Sequence, residues 1–400
     1  MGEYMIRGET LQKTADAIRE KLGTDRAIRC SEMPDAIRSI YSLQTTVPEG
    51  VRLEAKRVAD SMGEKMGADC ITFIALADMH QYGPGELGDA GMEAIFRDSI
   101  RSAGMGAALL AEEIKPDFAV NLGDLVGGTS GTTLKNGLDG FQQVRQELAS
   151  LEGKTICIGT PGNHDALNFS INLNGAYLSP AVTAALIGDY GYYDIAEKKV
   201  RLIVLNTGDN RDRDLTHNSD CERVSPQQLQ WFAQTLDLSG KPDGDQWKIL
   251  LFAHHPLDWG PVQAAGNCLA AYLAGETYSV VHEDVEISCN FAGKNVARVV
   301  AQFHGHTHCF KVDAIHDRRS GQPVPTGVKR IAIPNASFHR TNELGTMERY
   351  GLVYGEGTTY SKDSTSPEKS TSFCLVAVDL EAETIYADCF GAGYDRVIPW

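Results

Sequence analysis

Five short clusters along the chain carry side chains that can bind metal ions: Asp78-Met79-His80, Gly123-Asp124, Gly162-Asn163-His164-Asp165, His254-His255-Pro256 and Gly305-His306-Thr307-His308. In an extended or turning segment, Asp-x-His and His-x-His spacings put both side chains on one side, so each pair can approach the same ions. Carboxylate, imidazole and carboxamide donors suit manganese, iron, zinc, cobalt or nickel better than calcium. Seven side chains, Asp78, His80, Asp124, Asn163, His254, His306 and His308, are too many for one tetrahedral ion. They suit two divalent cations about 3.5–4 Å apart that share a carboxylate, the arrangement used for in-line phosphoryl displacement. Asp124 is the expected shared ligand. Taken singly, Asp78-x-His80 and Gly123-Asp124 are weak signals, whereas Gly162-Asn163-His164-Asp165 and Gly305-His306-x-His308, each directly after an apolar run, are far more specific. His255 reads as a supporting residue, His304 as a core histidine, and His217, His282, His316 and His339 as surface residues. His339 and Arg340 are secondary candidates for touching a substrate phosphate.

Such distant residues can meet only if the elements before them end at a common edge. Six apolar runs, 71–77, 118–122, 155–158, 200–205, 249–253 and 299–303, are rich in β-branched and aliphatic residues, and five lead directly into the clusters. Helical stretches at 91–114, 140–151 and 226–236 separate several of them. Strand-helix alternation with continuously apolar strands predicts buried α/β sheets, whose sites form at the carboxyl ends of the strands. Glycines 123, 162 and 305 are expected to turn the backbone just before the ligands. Residues 373–380 and 384–390 read as a closing antiparallel hairpin, and 335–372 as a long loop near the site.

Ahead of this region, Leu11, Ala15, Ile18 and Leu22 recur at helical spacing, and Ser31 and Pro34 open a second helical pattern with Met33, Ile37 and Ile40. The expected organisation is a helical hairpin over 1–42, a linker and surface helix over 43–69, and one large domain over 70–400. So small a hairpin cannot bury both apolar stripes alone, so it is expected to dock on the main domain or on another copy, giving a homo-oligomer.

Composition narrows the function classes. A formal net charge of -16 disfavours a nucleic-acid footprint, which needs clustered Lys and Arg. Two cations would nonetheless leave a locally positive site for a small anion. No apolar run spans a bilayer, and the polar start of the chain does not resemble a signal peptide, so a cytoplasmic location is expected. Nine scattered cysteines without a C-x-x-C pair read as reduced thiols.

The ordered set D-x-H, G-D, G-N-H-D, H-H-P and G-H-T-H resembles the calcineurin-like metallophosphoesterases over roughly residues 70–310. The resemblance implies a four-layer α/β/β/α sandwich. It implies one metal held by Asp78, His80, Asp124 and His308, another by Asp124, Asn163, His254 and His306, and His164 as the catalytic histidine outside both sets. The expected function is hydrolysis of a phosphate mono- or diester by a metal-bridging hydroxide, with manganese, iron or zinc and with His164 protonating the leaving oxygen. Many relatives carry an aspartate three residues after the bridging one to pair with that histidine, whereas this chain has Gly127, so either Asp165 or a group elsewhere is expected to orient His164, or its part is electrostatic only. Separately, residues 9–40 resemble a module of phage and prophage tail-associated proteins. That implies an alternative role as a tail-associated structural or binding protein.

Overall fold

The computed structural model describes residues 15–16, 47–67, 69–128, 132–167, 178–209, 222–294, 297–317, 321–324, 327–338 and 362–400. The hairpin expected over 1–42, with its likeness to tail modules, therefore lies outside the described residues apart from Ala15 and Asp16. His217, His339 and Arg340 lie outside them too.

In the first half, helix Glu49–Gly63 (α1) precedes strand Cys70–Leu76 (β1), helix Ala90–Ile114 (α2), strand Phe118–Asn121 (β2), helix Leu134–Glu152 (α3) and strand Cys157–Gly159 (β3). Next come helix Pro180–Ile187 (α4), strands Gly191–Ile195 (β4) and Val200–Leu205 (β5), helix Pro226–Leu236 (α5), strand Lys248–Ala253 (β6) and helix Gln263–Ala274 (α6). Ten strands follow among the described residues: Thr277–His282 (β7), Val285–Asn290 (β8), Arg298–His304 (β9), Lys311–Ala314 (β10), His316–Asp317 (β11), Gln322–Pro323 (β12), Lys329–Ala332 (β13), Ser372–Asp379 (β14), Thr384–Gly391 (β15) and Arg396–Pro399 (β16).

Local chemistry explains several boundaries. The Asp89 carboxylate accepts the amides of Gly91 and Met92 at the start of α2, and Ser225 accepts Gln228 N–H just before Pro226 opens α5. Helix α3 starts at Leu134, six residues before the expected start, because Thr133 caps it and its glycines pack rather than break it. A Cβ at Gly137 would collide with Leu167, and one at Gly140 would press on the Gln81 carbonyl at 3.1 Å. Missing side chains here let the helix approach the loop that carries Asp78 and His80.

Two six-stranded sheets result, ordered β16-β15-β14-β1-β2-β3 and β10-β13-β9-β6-β5-β4. Strands β1, β2 and β3 pair in parallel, as do β5, β6, β9 and β13, while β14 runs antiparallel to β1. The two-residue side-chain period divides each strand between two cores. From β1 and its extension, Ile71, Phe73, Ala75 and Ala77 face the second sheet together with Val200, Leu202, Val204, Leu250 and Phe252. Phe73 clasps the sandwich, stacked on Phe118 at 4.9 Å and edge-on to Phe252 and Phe303 at 5.4 and 5.0 Å. Ile74 and Leu76 face outward onto α1, α2 and α3, and on the far side Ile203, Leu205, Ile249 and Leu251 face α5 and α6. The four layers are therefore helices, sheet, sheet, helices.

Helix α1 is more than the surface helix expected from its mixed composition: Val51, Ala55, Val58, Ala59 and Met62 are buried in the first core. The β7–β8 hairpin and edge strand β4, half exposed, had no sequence signal strong enough to name them. The seven described cysteines are all free thiols. No helix among the described residues is long and apolar enough to cross a membrane.

Candidate metal centre

Strands β1, β2, β6 and β9 end on the same edge, and the turns that follow them, with the turn after β3, bring all seven candidate ligands together. The turns are tied to one another first through the main chain and then through side chains. Asp78 N–H donates to Gly123 O at 3.0 Å and His80 N–H to Asp124 O at 2.9 Å, which locks the first two ligand loops side by side. His306 N–H donates to Asp78 Oδ1 at 2.9 Å, adding the loop after β9. From the far side, Ser337 Oγ donates to Asp78 O at 2.9 Å, while Lys362 Nζ donates to the carbonyls of Asn335 and Ser337. Ser337 and Lys362 carry no metal-ligand chemistry, so no sequence pattern marked them.

The backbone at these positions is strained. Asp78, His80, Asp124, His306 and His308 all adopt positive φ, between 44° and 67°, a region that disfavours residues with a Cβ. Five such residues at one edge cost of order 1–3 kcal/mol each and persist where function demands the geometry. Of the three glycines expected to turn the chain, only Gly123 has positive φ, at 91°. Gly162 and Gly305 instead provide space, since a Cβ on either would press on the carboxylates of Asp124 and Asp78.

The donor atoms fall into two groups that share Asp124. Around Asp78, His80, Asp124 and His308, one ligand atom from each lies within 4.8 Å of the others. His80 Nε2 and His308 Nε2 are 2.9 Å apart, and His308 Nε2 is 3.5 Å from Asp78 Oδ1. In the second group Asn163 Oδ1 lies 3.1 Å from His254 Nε2 and 3.2 Å from His306 Nδ1. Asp124 Oδ2 sits between the groups, 3.7 Å from His80 Nε2 and 3.2 Å from His254 Nε2. His254 Nδ1 meets Leu122 O at 2.7 Å, which fixes the ring so that Nε2 faces the cluster.

These residues fit divalent cations. Asp78 Oδ2 is buried without a hydrogen-bond partner, an orphan that a cation would satisfy. Imidazole nitrogens, carboxylate oxygens and a carboxamide oxygen converge on one another, a donor set of transition-metal type. The local field agrees. Burial opposes charge on Asp124, yet His254 and His164 hold its carboxyl well below the usual range. Asp78 is held down in the same way, against burial, chiefly by His308. Burial also opposes charge on His254, but Asp124 raises it to about 9, whereas burial and the neighbouring His254 push His306 down to about 3.

The two residues expected outside the ligand set part company. His164 lies beside the first group, its ring edge-on to His80 at 4.6 Å, and its N–H donates to Asp124 Oδ1 at 2.8 Å. Its Nδ1 contacts the Gly127 carbonyl: the position that lacks an orienting side chain presents its main chain instead. Asp165 does not face that ring. Its Oδ2 accepts the amides of Gly162 at 2.8 Å and Asp124 at 2.9 Å, and its Oδ1 those of Leu125 at 2.8 Å and Val126 at 3.3 Å. Asp165 is therefore a buried brace between two ligand loops, because four amides left unpaired by the turns claim both of its oxygens. His255 is buried, with Nδ1 2.8 Å from Thr207 Oγ1. His304 is buried with Nδ1 2.8 Å from the Gly305 carbonyl, while His282 and His316 are partly exposed and bonded or paired.

The chain matches the family model for calcineurin-like phosphoesterases over residues 71–310. Among solved structures it is similar to a dimetal phosphatase from Danio rerio, at 15% identity over 82% of this chain and 99% of that one, with a TM-score of 0.47. It is also similar to PhoD, at 10% identity over 84% and 69% of the two chains with a TM-score of 0.43. A third likeness is to a 5'-nucleotidase precursor from Thermus thermophilus, at 13% identity over 82% and 54% with a TM-score of 0.35. Nothing among curated proteins matches significantly.

Proposed function

The chain belongs to the calcineurin-like phosphoesterases, metal-dependent hydrolases of phosphate esters, and from that premise we propose that its seven converging ligands hold two divalent cations to hydrolyse a small phosphate mono- or diester. Asp78, His80, Asp124 and His308 would hold one ion, and Asp124, Asn163, His254 and His306 the other. The observation that carries the reading is Asp124 Oδ2 lying between His80 Nε2 and His254 Nε2, where a carboxylate can serve both groups at once. When bound, divalent cations activate water near neutral pH and offset the charge that moves onto phosphate oxygens.

The chain's own residues supply position and protons. Leu122 O fixes the His254 ring through Nδ1, so its orientation does not depend on substrate. The Gly127 carbonyl does the same for His164, turning Nε2 away from the main chain. With Nδ1 held by that carbonyl, His164 Nε2 is the atom that would pass a proton to the departing oxygen. Asp165 holds the loops of Asp124 and Asn163 together, so that the two groups keep their spacing. We assign this machinery to a domain spanning residues 70–400, with α1 packed against it. The alternative, a tail-associated binding protein, rests on residues 1–42 alone, and the family match begins at residue 71.

The test is metal analysis of purified protein together with hydrolysis of para-nitrophenyl phosphate and its bis-ester, with manganese and with EDTA. Turnover that needs metal is expected. Absence of metal-dependent turnover on these and on a wider phosphate-ester panel would remove the reading.

A further inference from the structure

Just beyond the second ligand group stands an indole that the ligand geometry does not require. Trp259 follows His254-His255-Pro256 through a tight turn in which its N–H donates to Pro256 O at 2.9 Å, and this turn brings the side chain back over the cluster. Its ring lies 5.3 Å from the ring of His306, edge to face. Although packed against a candidate ligand, Trp259 stays 36% exposed, while Trp247 in the second core is 6% exposed. A single exposed aromatic residue is ordinary on a protein surface. This one is held in place. Indole Nε1 donates to Glu222 Oε2 at 2.9 Å, and Glu222 comes from the segment between β5 and α5, 37 residues earlier in the chain. The remaining carboxylate oxygen, Oε1, stands 3.9 Å from His255 Nε2, a buried nitrogen without a hydrogen-bond partner. That gap is too long for a direct bond and suits a bridging water or a polar atom of a ligand.

A rigid indole beside a reactive centre offers area at little entropic cost, because its two torsions are already fixed by Glu222 and His306. We propose that Trp259, tethered by Glu222, is the specificity platform of the site and stacks on a planar aromatic group carried by the phosphate ester. The proposal rests on the phosphoesterase reading for the position of the phosphate, and it adds the class of the organic part. The phosphate lies at the two ligand groups, and the aromatic group extends from it over the indole, with its polar edge toward Glu222 and His255.

The experiment compares 1-naphthyl phosphate with glycerol 2-phosphate in metal-loaded protein carrying Trp259→Ala or Trp259→Phe. Taking the ratio of kcat/KM for the two esters relative to the unmodified protein cancels their different leaving-group chemistry. The ratio should fall about ten-fold in Trp259→Ala, the loss expected when an aromatic stacking partner is truncated, and should largely recover in Trp259→Phe. Calorimetric binding of the product 1-naphthol should weaken by about the same factor in Trp259→Ala. If Trp259 only shields His306 or retains metal, both esters fall together and the ratio stays within two-fold, which overturns the proposal. If the unmodified protein hydrolyses neither of these nor any ester of the wider mono- and diester panel, the phosphoesterase reading falls, while 1-naphthol binding still decides whether the indole is a platform.

Discussion

Gly162→Ala tests the arrangement around Asp124 with one added methyl group. A Cβ at this position would lie 2.5 Å from the Asp124 amide nitrogen and closer still to its Oδ1, where ordinary contact begins near 3.4 Å. Both atoms are committed: the amide donates to Asp165 Oδ2 at 2.9 Å, and Oδ1 accepts His164 N–H at 2.8 Å. Relief must therefore come from moving Asp124, at the expense of two hydrogen bonds to charged groups. Such bonds are worth about 1.5–3 kcal/mol each, and overpacking adds about 1–3 kcal/mol, so after partial relaxation a loss of about 3–5 kcal/mol is expected. A shift near 1 Å in the shared ligand would also lower kcat/KM by about a hundred-fold. Urea unfolding of metal-free protein measures the first effect; metal stoichiometry and manganese-dependent hydrolysis measure the second. Gly63→Ala is the control, since nothing lies within 4 Å of a Cβ there and its helical position predicts a change of no more than about 1 kcal/mol. A Gly162→Ala protein with unchanged stability, two bound metals and kcat/KM within three-fold of the parent would refute the placement of Asp124.

Stripping metal with EDTA should lower the urea midpoint, and manganese at about 100 times its Kd should restore about 3 kcal/mol for each ion bound, about 5 kcal/mol for two, since only the folded chain assembles the ligands; equal midpoints would count against the centre. His164→Gln should slow glycerol 2-phosphate hydrolysis about a hundred-fold and para-nitrophenyl phosphate hydrolysis far less, because para-nitrophenolate leaves without a proton. Equal losses on the two esters would leave His164 without the acid role. Burial holds the His304 imidazole down to about 4 from its ordinary 6.5, so between these values the unfolded chain binds more protons than the folded one and stability drops as pH falls. This group's share of that loss is about 2 kcal/mol between pH 6.5 and 5, so the change in urea midpoint between the two pH values should differ by that amount between the parent and His304→Gln, and the same change in both proteins would contradict it. Arg330 pairs with Asp258, whose carboxylate is almost fully buried and also accepts the His316 amide at 3.2 Å, so Arg330→Ala should cost about 3 kcal/mol in urea unfolding by removing the guanidinium that offsets its charge. A loss below about 1 kcal/mol would mean that Asp258 finds another partner.

The parts read most accurately from sequence are those with a purely local cause. Val200–Leu205 and Pro226–Leu236 carry the bounds expected of them, the first because five of its six residues, all but Arg201, are apolar and need burial on both faces, the second because Ser225 and Pro226 fix its start. Strand β4, with Tyr192 and Tyr193 about half exposed, had neither a continuous nor an alternating pattern to betray it. Helix α3 begins six residues ahead of the stretch expected over 140–151, and Gly137 and Gly140 lie within it because their missing side chains leave room for Leu167 and the Gln81 carbonyl.

Sequence alone determined the inventory: which residues can bind metal, their order, and their position just after apolar strands, since donor chemistry and hydrophobic runs are properties of short segments. It could not determine what those residues face. Asp165 looked like a partner for His164 from one position away, yet its carboxylate serves amides about 40 residues earlier in the chain, and His164 turns to the Gly127 carbonyl. Those partners, the positive φ of five ligands and the indole beside His306 were settled only when parallel pairing set β1, β2 and β3 side by side and the sandwich brought β6 and β9 to the same edge. Hydrogen bonds between turns far apart in sequence depend on strand register, and register is fixed by the packing of whole sheets.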